Sequence, residues 1–109
     1  MIPATIDFLL RTNADYGEVL QFTDGSNGPI DLNGKSFAMQ VRLFPGGPFL
    51  FDVPLKVIDA ADGQLQVGPI LGKPNAGDYS HDLIVTQDGL REVWAQGVVQ
   101  IQQGVTTNG

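Results

Sequence analysis

Short runs of alternating apolar and polar residues, cut repeatedly by Gly, Pro, Asn and Asp, extend along the whole chain. Residues 36–43 show the pattern best: Phe37, Met39, Val41 and Leu43 stand two apart. Side chains alternate faces along a β-strand, so this set falls on one side. The same spacing predicts strands over residues 5–11 (Ile6, Phe8 and Leu10 in phase), 18–23 (Leu20 and Phe22 in phase) and 49–57. It also predicts strands over 64–67 (Leu65 and Val67), 79–86 and 92–102 (Val99 and Ile101). Pro54 cannot donate a ladder hydrogen bond, so it calls for an edge position or a bulge within its run. Gly97, a glycine within the last strand, suggests a bulge there.

The breaks carry turn chemistry. Asp24-Gly25-Ser26-Asn27-Gly28-Pro29 is the strongest loop signal, because Gly and Asn tolerate positive φ and Pro blocks pairing. Asn33-Gly34 and Gln87-Asp88-Gly89 read as tight turns, as do residues 13–17. Pro45-Gly46-Gly47-Pro48 separates two strands that make a plausible hairpin. Residues 69–76 contain Gly72 and Pro74 and could support one helical turn at most. Seven to eight strands at this spacing, with no helix of useful length, predict an all-β sandwich. The 109 residues make one domain, expected to be ordered over 3–103 with a loose tail at 104–109.

Composition narrows the possible functions. The chain has no cysteine, which excludes disulfide stapling, thiolate catalysis and Cys-ligated zinc. Six Lys and Arg stand against twelve Asp and Glu, a net charge of −6. Nucleic acid and anionic membrane both require a basic stripe, so neither is an expected partner. The first residues, Met-Ile-Pro-Ala-Thr-Ile-Asp, lack the basic and long apolar regions of a secretory signal, so no signal peptide is expected.

Little in the chain resembles catalytic chemistry. The single histidine, His81, sits in a predicted strand beside Asp82, whose side chain should point to the other face. Those neighbours cannot make a His–Asp pair, and a structural or surface histidine is the better reading. Asp59 with Asp62, and Asp78 with Asp82, could be paired carboxylates, but turn aspartates usually bond nearby amides. A calcium loop around Asp24 or Asp59 lacks EF-hand spacing and a closing Glu. No metal or other cofactor is expected, and the chain is read as not an enzyme. Most phenylalanines fall at core phases. Trp94 is open: with Val93 and Ala95 inward it is an exposed contact anchor, and with a phase change it is core. The projecting loops, with Asp24 and Asn27 in one and Phe44 and Phe49 in the other, are the remaining interface candidates.

Gly77-Asp78-Tyr79 places a Tyr at a strand start after a Gly-containing corner. This resembles the tyrosine corner of immunoglobulin-like sandwiches, whose hydroxyl bonds back across the turn. It implies an immunoglobulin-like Greek-key sandwich. A wider resemblance runs from about Phe22 to Thr106. It rests on Ile30-Asp31-Leu32-Asn33-Gly34-Lys35 before a long amphipathic strand, Asp62-Gly63-Gln64-Leu65-Gln66-Val67, and Ala76-Gly77-Asp78-Tyr79-Ser80-His81-Asp82-Leu83. Gln96-Gly97-Val98-Val99-Gln100-Ile101 and Gly104-Val105-Thr106 complete it. The order resembles the small β-sandwich virion modules of tailed bacteriophages, found at the N-terminus of upper baseplate proteins and as stand-alone proteins near tail-fibre genes. Residues 5–22 have no counterpart in it. The resemblance implies a non-enzymatic structural subunit of the virion, made in the host cytoplasm. Its partners would be other tail, baseplate, head or fibre proteins, with homo-oligomeric or symmetric assembly. The alternative is a carbohydrate-binding module for host-receptor recognition, which would need Trp94, Tyr16 or Tyr79 as an aromatic platform.

Overall fold

The computed structural model describes residues 4–70 and 75–104. Among these described residues nine strands form two facing sheets: β1 (Ala4–Thr5), β2 (Phe8–Arg11), β3 (Tyr16–Gln21), β4 (Ser36–Arg42), β5 (Phe49–Asp52), β6 (Leu55–Asp59), β7 (Gln64–Ile70), β8 (Gly77–Gln87) and β9 (Leu90–Gln102). The larger sheet runs β1-β9-β8-β4-β5, with β2 continuing β1 along the same edge of β9. The smaller runs β3-β7-β6. Three hairpins, β4–β5, β6–β7 and β8–β9, are joined by connections that pass from one sheet to the other, the Greek-key order of an immunoglobulin-like sandwich. Pairing is antiparallel except at β1 and β2, which run parallel to β9.

The apolar positions of the two inner faces meet in one core. Leu65 and Val67 of β7 come from the smaller sheet, and Val41, Leu83, Val99 and Ile101 from the larger. Among the described residues no helix is long and apolar enough to cross a membrane.

Two expected strands are split, which raises the count from seven or eight to nine. The run 5–11 breaks at Ile6 and Asp7, although Phe8 and Leu10 stay buried. The run 49–57 divides at Val53-Pro54, and its halves belong to different sheets. Pro54 has no N–H to continue pairing with β4. The dipeptide bridges both layers instead: Val53 N–H donates to Met39 O (2.9 Å), and Pro54 O accepts from Gly68 N–H (2.8 Å).

The ends of the predicted elements also move. Pro69 and Ile70 extend β7 rather than starting a helical turn, and residues 71–74 lie outside the described residues. Gly104 is not loose: its N–H donates to Thr12 Oγ1 (2.9 Å). Residues 105–109 lie outside the described set. The turn at Gln87-Asp88-Gly89 forms as expected. Asp88 and Gly89 both have positive φ (53° and 79°), as the twist of a two-residue hairpin requires.

Candidate functional site

Trp94 is core. The β8–β9 register shifts between Leu83 and Ile84, whose partners on β9 are Ala95 and Val93. Trp94 is the extra residue of this bulge, so it and Ala95 both turn inward, at 6% and 0% exposure. Its ring packs edge-on against Phe22 (centroids 5.3 Å) and Phe37 (6.2 Å). The exposed-anchor reading of Trp94 is therefore corrected. The bulge lies at Trp94 and not at Gly97, which has a different task. A Cβ at Gly97 would collide with the Ile6 carbonyl oxygen, so glycine lets residues 4–11 approach β9 closely.

The expected corner is present. Tyr79 is buried and its hydroxyl donates to Asn75 O (2.6 Å), four residues back, just before Gly77 opens β8. This bond pins the connection from the smaller sheet to the larger one.

Asp24 and Asn27 are exposed but occupied in shaping their own loop. Asp24 Oδ1 accepts from Ser26 N–H (2.8 Å) and Gly28 N–H (3.0 Å), while Asn27 takes positive φ (62°) and donates its N–H to Asp24 O. Asp59 Oδ1 accepts in the same way from Asp62 N–H (3.1 Å). These carboxylates receive amide protons, the arrangement that makes turn aspartates common. Among the described residues no cluster of three or more His, Asp or Glu could hold a metal ion.

Phe44 and Phe49 stand out from the other phenylalanines. Phe8 is buried, and Phe22, Phe37 and Phe51 pack against the core. Phe44 and Phe49 are 53% and 48% exposed, and Leu43 joins them at 46%. The alternation placed Leu43 inside, but β4 ends at Arg42, where Leu50 forms a bulge opposite the Val41–Arg42 step. Leu43 is thereby released to solvent.

The resulting hairpin tip is held firmly. Leu43 N–H donates to Pro48 O (3.0 Å) and Gly47 N–H to Phe44 O (2.8 Å). Arg42 donates through Nη1 to Gly47 O (2.8 Å) and through Nη2 to Gln40 Oε1 (2.9 Å). The Arg42 guanidinium also lies over the Phe49 ring, 5.9 Å from its centroid. Three large apolar side chains are thus presented by a braced turn, which lowers the ordering cost of a contact.

Beside the tip, the outer face of the larger sheet forms an open trough of about 870 Å³. Its floor is a row of polar residues in register across the strands: Gln40, Asp82, Gln96 and Thr5. Arg42 and Ser80 form the next row. Arg42 and Asp82 bring opposite charges, and the other four side chains are uncharged, so the trough suits hydrogen bonding more than attraction of a strongly charged ligand. Sequence reasoning missed this row, although the alternation that buries Met39, Val41 and Leu83 also sends Gln40, Arg42 and Asp82 outward.

His81 faces the core, away from Asp82, as the strand phase predicts. Its Nε2 is bonded to the Ile6 carbonyl, and its ring lies 4.8 Å from that of Phe8. Burial pushes its pKa down, against smaller upward effects of the Ile6 bond, Asp82 and Asp7. Tyr16 is half-buried and donates to Glu18; burial, then that bond and the Glu18 charge, raise its pKa.

Fold and surface together define a class: an immunoglobulin-like sandwich with its histidine committed to the core, a braced apolar hairpin tip and a polar trough beside it. No family model matches the chain, and no curated protein matches it.

Proposed function

We propose that this chain is a non-enzymatic structural subunit of a phage or prophage particle, a tail, baseplate or fibre-attachment component that works through protein–protein contacts. The observation that carries the reading is the β4–β5 tip, where Leu43, Phe44 and Phe49 are exposed on a turn held by three hydrogen bonds. Apolar residues offered this way are a contact surface in search of a cover. The sequence resemblance to phage β-sandwich modules supplies the kind of particle. The partners are then other virion proteins or symmetric copies of this chain, and its location is the virion.

The carbohydrate-binding alternative has a polar trough but a poor platform. Trp94 and Tyr79 are buried and Tyr16 is half-buried.

Mass spectrometry of purified particles from the host carrying this gene tests the reading. The chain is expected in the particle, at a copy number matching the symmetry of the tail or head. A Phe44→Ser/Phe49→Ser double variant is expected to fold and to fail to enter particles. Absence of the native chain from the particles overturns the proposal.

A further inference from the structure

Residues 4–11 are held to the sheet edge by an unusual clasp. Between β1 and β2 the chain leaves the ladder at Ile6 and Asp7, and three bonds fasten the break. Ile6 N–H donates to Gln96 O (2.9 Å), Asp7 Oδ1 accepts from Val98 N–H (2.9 Å), and the Ile6 carbonyl accepts from His81 Nε2. His81 and Gly97 are register partners on β8 and β9. The Ile6 carbonyl occupies the space a Gly97 side chain would need, and His81 reaches it from two strands away.

Because a carbonyl only accepts, Nε2 carries the proton, and Nδ1 is the lone-pair nitrogen of a neutral ring. Nδ1 is buried with no hydrogen-bond partner among the described residues, and His81 is only 5% exposed. A second proton would create a buried N–H with nothing to receive it. The Asp82 and Asp7 charges favour a protonated ring, but less than burial opposes it, and neither accepts a bond from Nδ1. On β8, Asp82 points to the outer face, and on the clasped segment Asp7 is engaged by Val98. Strand β4 presents Val41 at the register position beside His81, with Arg42 turned outward to Gly47 and Gln40. Strand β9 presents Gly97, and β2 presents Phe8, with Tyr16 of the smaller sheet on Phe8's edge (5.8 Å).

We propose that His81 is a proton-sensitive latch on residues 4–11: neutral, it locks the segment to the sheet edge, and acidification opens the segment and uncovers the edge of β9. Opening this short edge segment gives the ring water without unfolding the β4–β8–β9 centre, and local opening is cheaper than global unfolding. The sign follows from the lowered folded-state pKa. Above about pH 6.5 both closed and opened forms are neutral and the latch holds fully. Below that the opened form binds a proton first, and the latch weakens until pH falls through the folded value.

Hydrogen exchange of the whole chain at pH 7.5 and 5.0, corrected for intrinsic rates, tests this. With an opened-state pKa of about 6.5, the opening constant of residues 4–11 rises up to about 30-fold at pH 5.0. Amides of β4 and β8 keep their protection. Asp7→Asn keeps the pH response, and His81→Phe loses it. As a measurement on the native chain, the His81 ring resonances shift in step with the opening. The proposal is overturned by unchanged protection of residues 4–11, by a loss that β4 and β8 share equally, or by the same loss in His81→Phe.

Discussion

The two edges of the larger sheet place their phenylalanines differently. At one, β2 sends Phe8 and Leu10 into the core (3% and 1% exposed) and is fastened by His81, Gly97 and Asp7. At the other, β5 and its hairpin hold Leu43, Phe44 and Phe49 outside. Hydrophobic content alone does not separate these regions. Backbone continuity does: the ladder at β2 keeps the alternation in register with the inner face, while the β4–β5 bulge and the Pro45–Pro48 turn end that register early. Edge strands are hazards for uncontrolled pairing. Here β5 is four residues long and stands between Pro48 and Pro54, and β6 carries Lys56. What the β5 side exposes is therefore side chain more than open backbone.

The sharpest way to break this comparison is to truncate one phenylalanine at each edge. Phe8→Ala is expected to cost about 3–5 kcal/mol in urea unfolding, because it empties a filled site. Phe49→Ala should stay within about 0.5 kcal/mol of the native chain. Equal costs would mean that the two edges are not different in kind. Gly97→Ala comes next. Its methyl group meets backbone, so a loss of about 1–3 kcal/mol is expected, with exchange protection lost first in residues 4–11. Tyr79→Phe keeps the ring and deletes only the bond to Asn75, and should cost about 1 kcal/mol. Phe44→Ser with Phe49→Ser belongs, like Phe49→Ala, at the small end for stability, about 0.5 kcal/mol by thermal melting, while assembly with partners is lost.

The features legible in the sequence were those set by local chemistry. Alternation in residues 36–42 reflects one strand with one buried face, and Gly77-Asp78-Tyr79 encodes its own corner over a few residues. The inward turn of His81 follows from the phase of β8. What escaped depends on partners far along the chain. The break at Ile6 and Asp7 does not disturb the spacing of Ile6, Phe8 and Leu10, and only the approach to Gly97 explains it. Pro54 marked a disturbance, but a single proline does not say that the chain changes sheets there. Trp94 could not be placed by phase because a bulge puts two successive residues on one face. The trough was invisible as a site because its polar row is assembled across strands rather than along one.

The parallel pairing of β2 with β9 also sets an order of events. Asp7 and Val98, which bond across that edge, are 91 positions apart. During synthesis Phe8 and Leu10 emerge long before the strand they need, so these two core residues wait while the hairpins β4–β5 and β6–β7 can already close. Contacts of such long sequence separation slow folding and lengthen the time apolar surface is exposed. The segment fastened by His81 thus joins the fold as a late closure, and a ribosome-bound chain lacking β9 is expected to keep Phe8 accessible to chaperones.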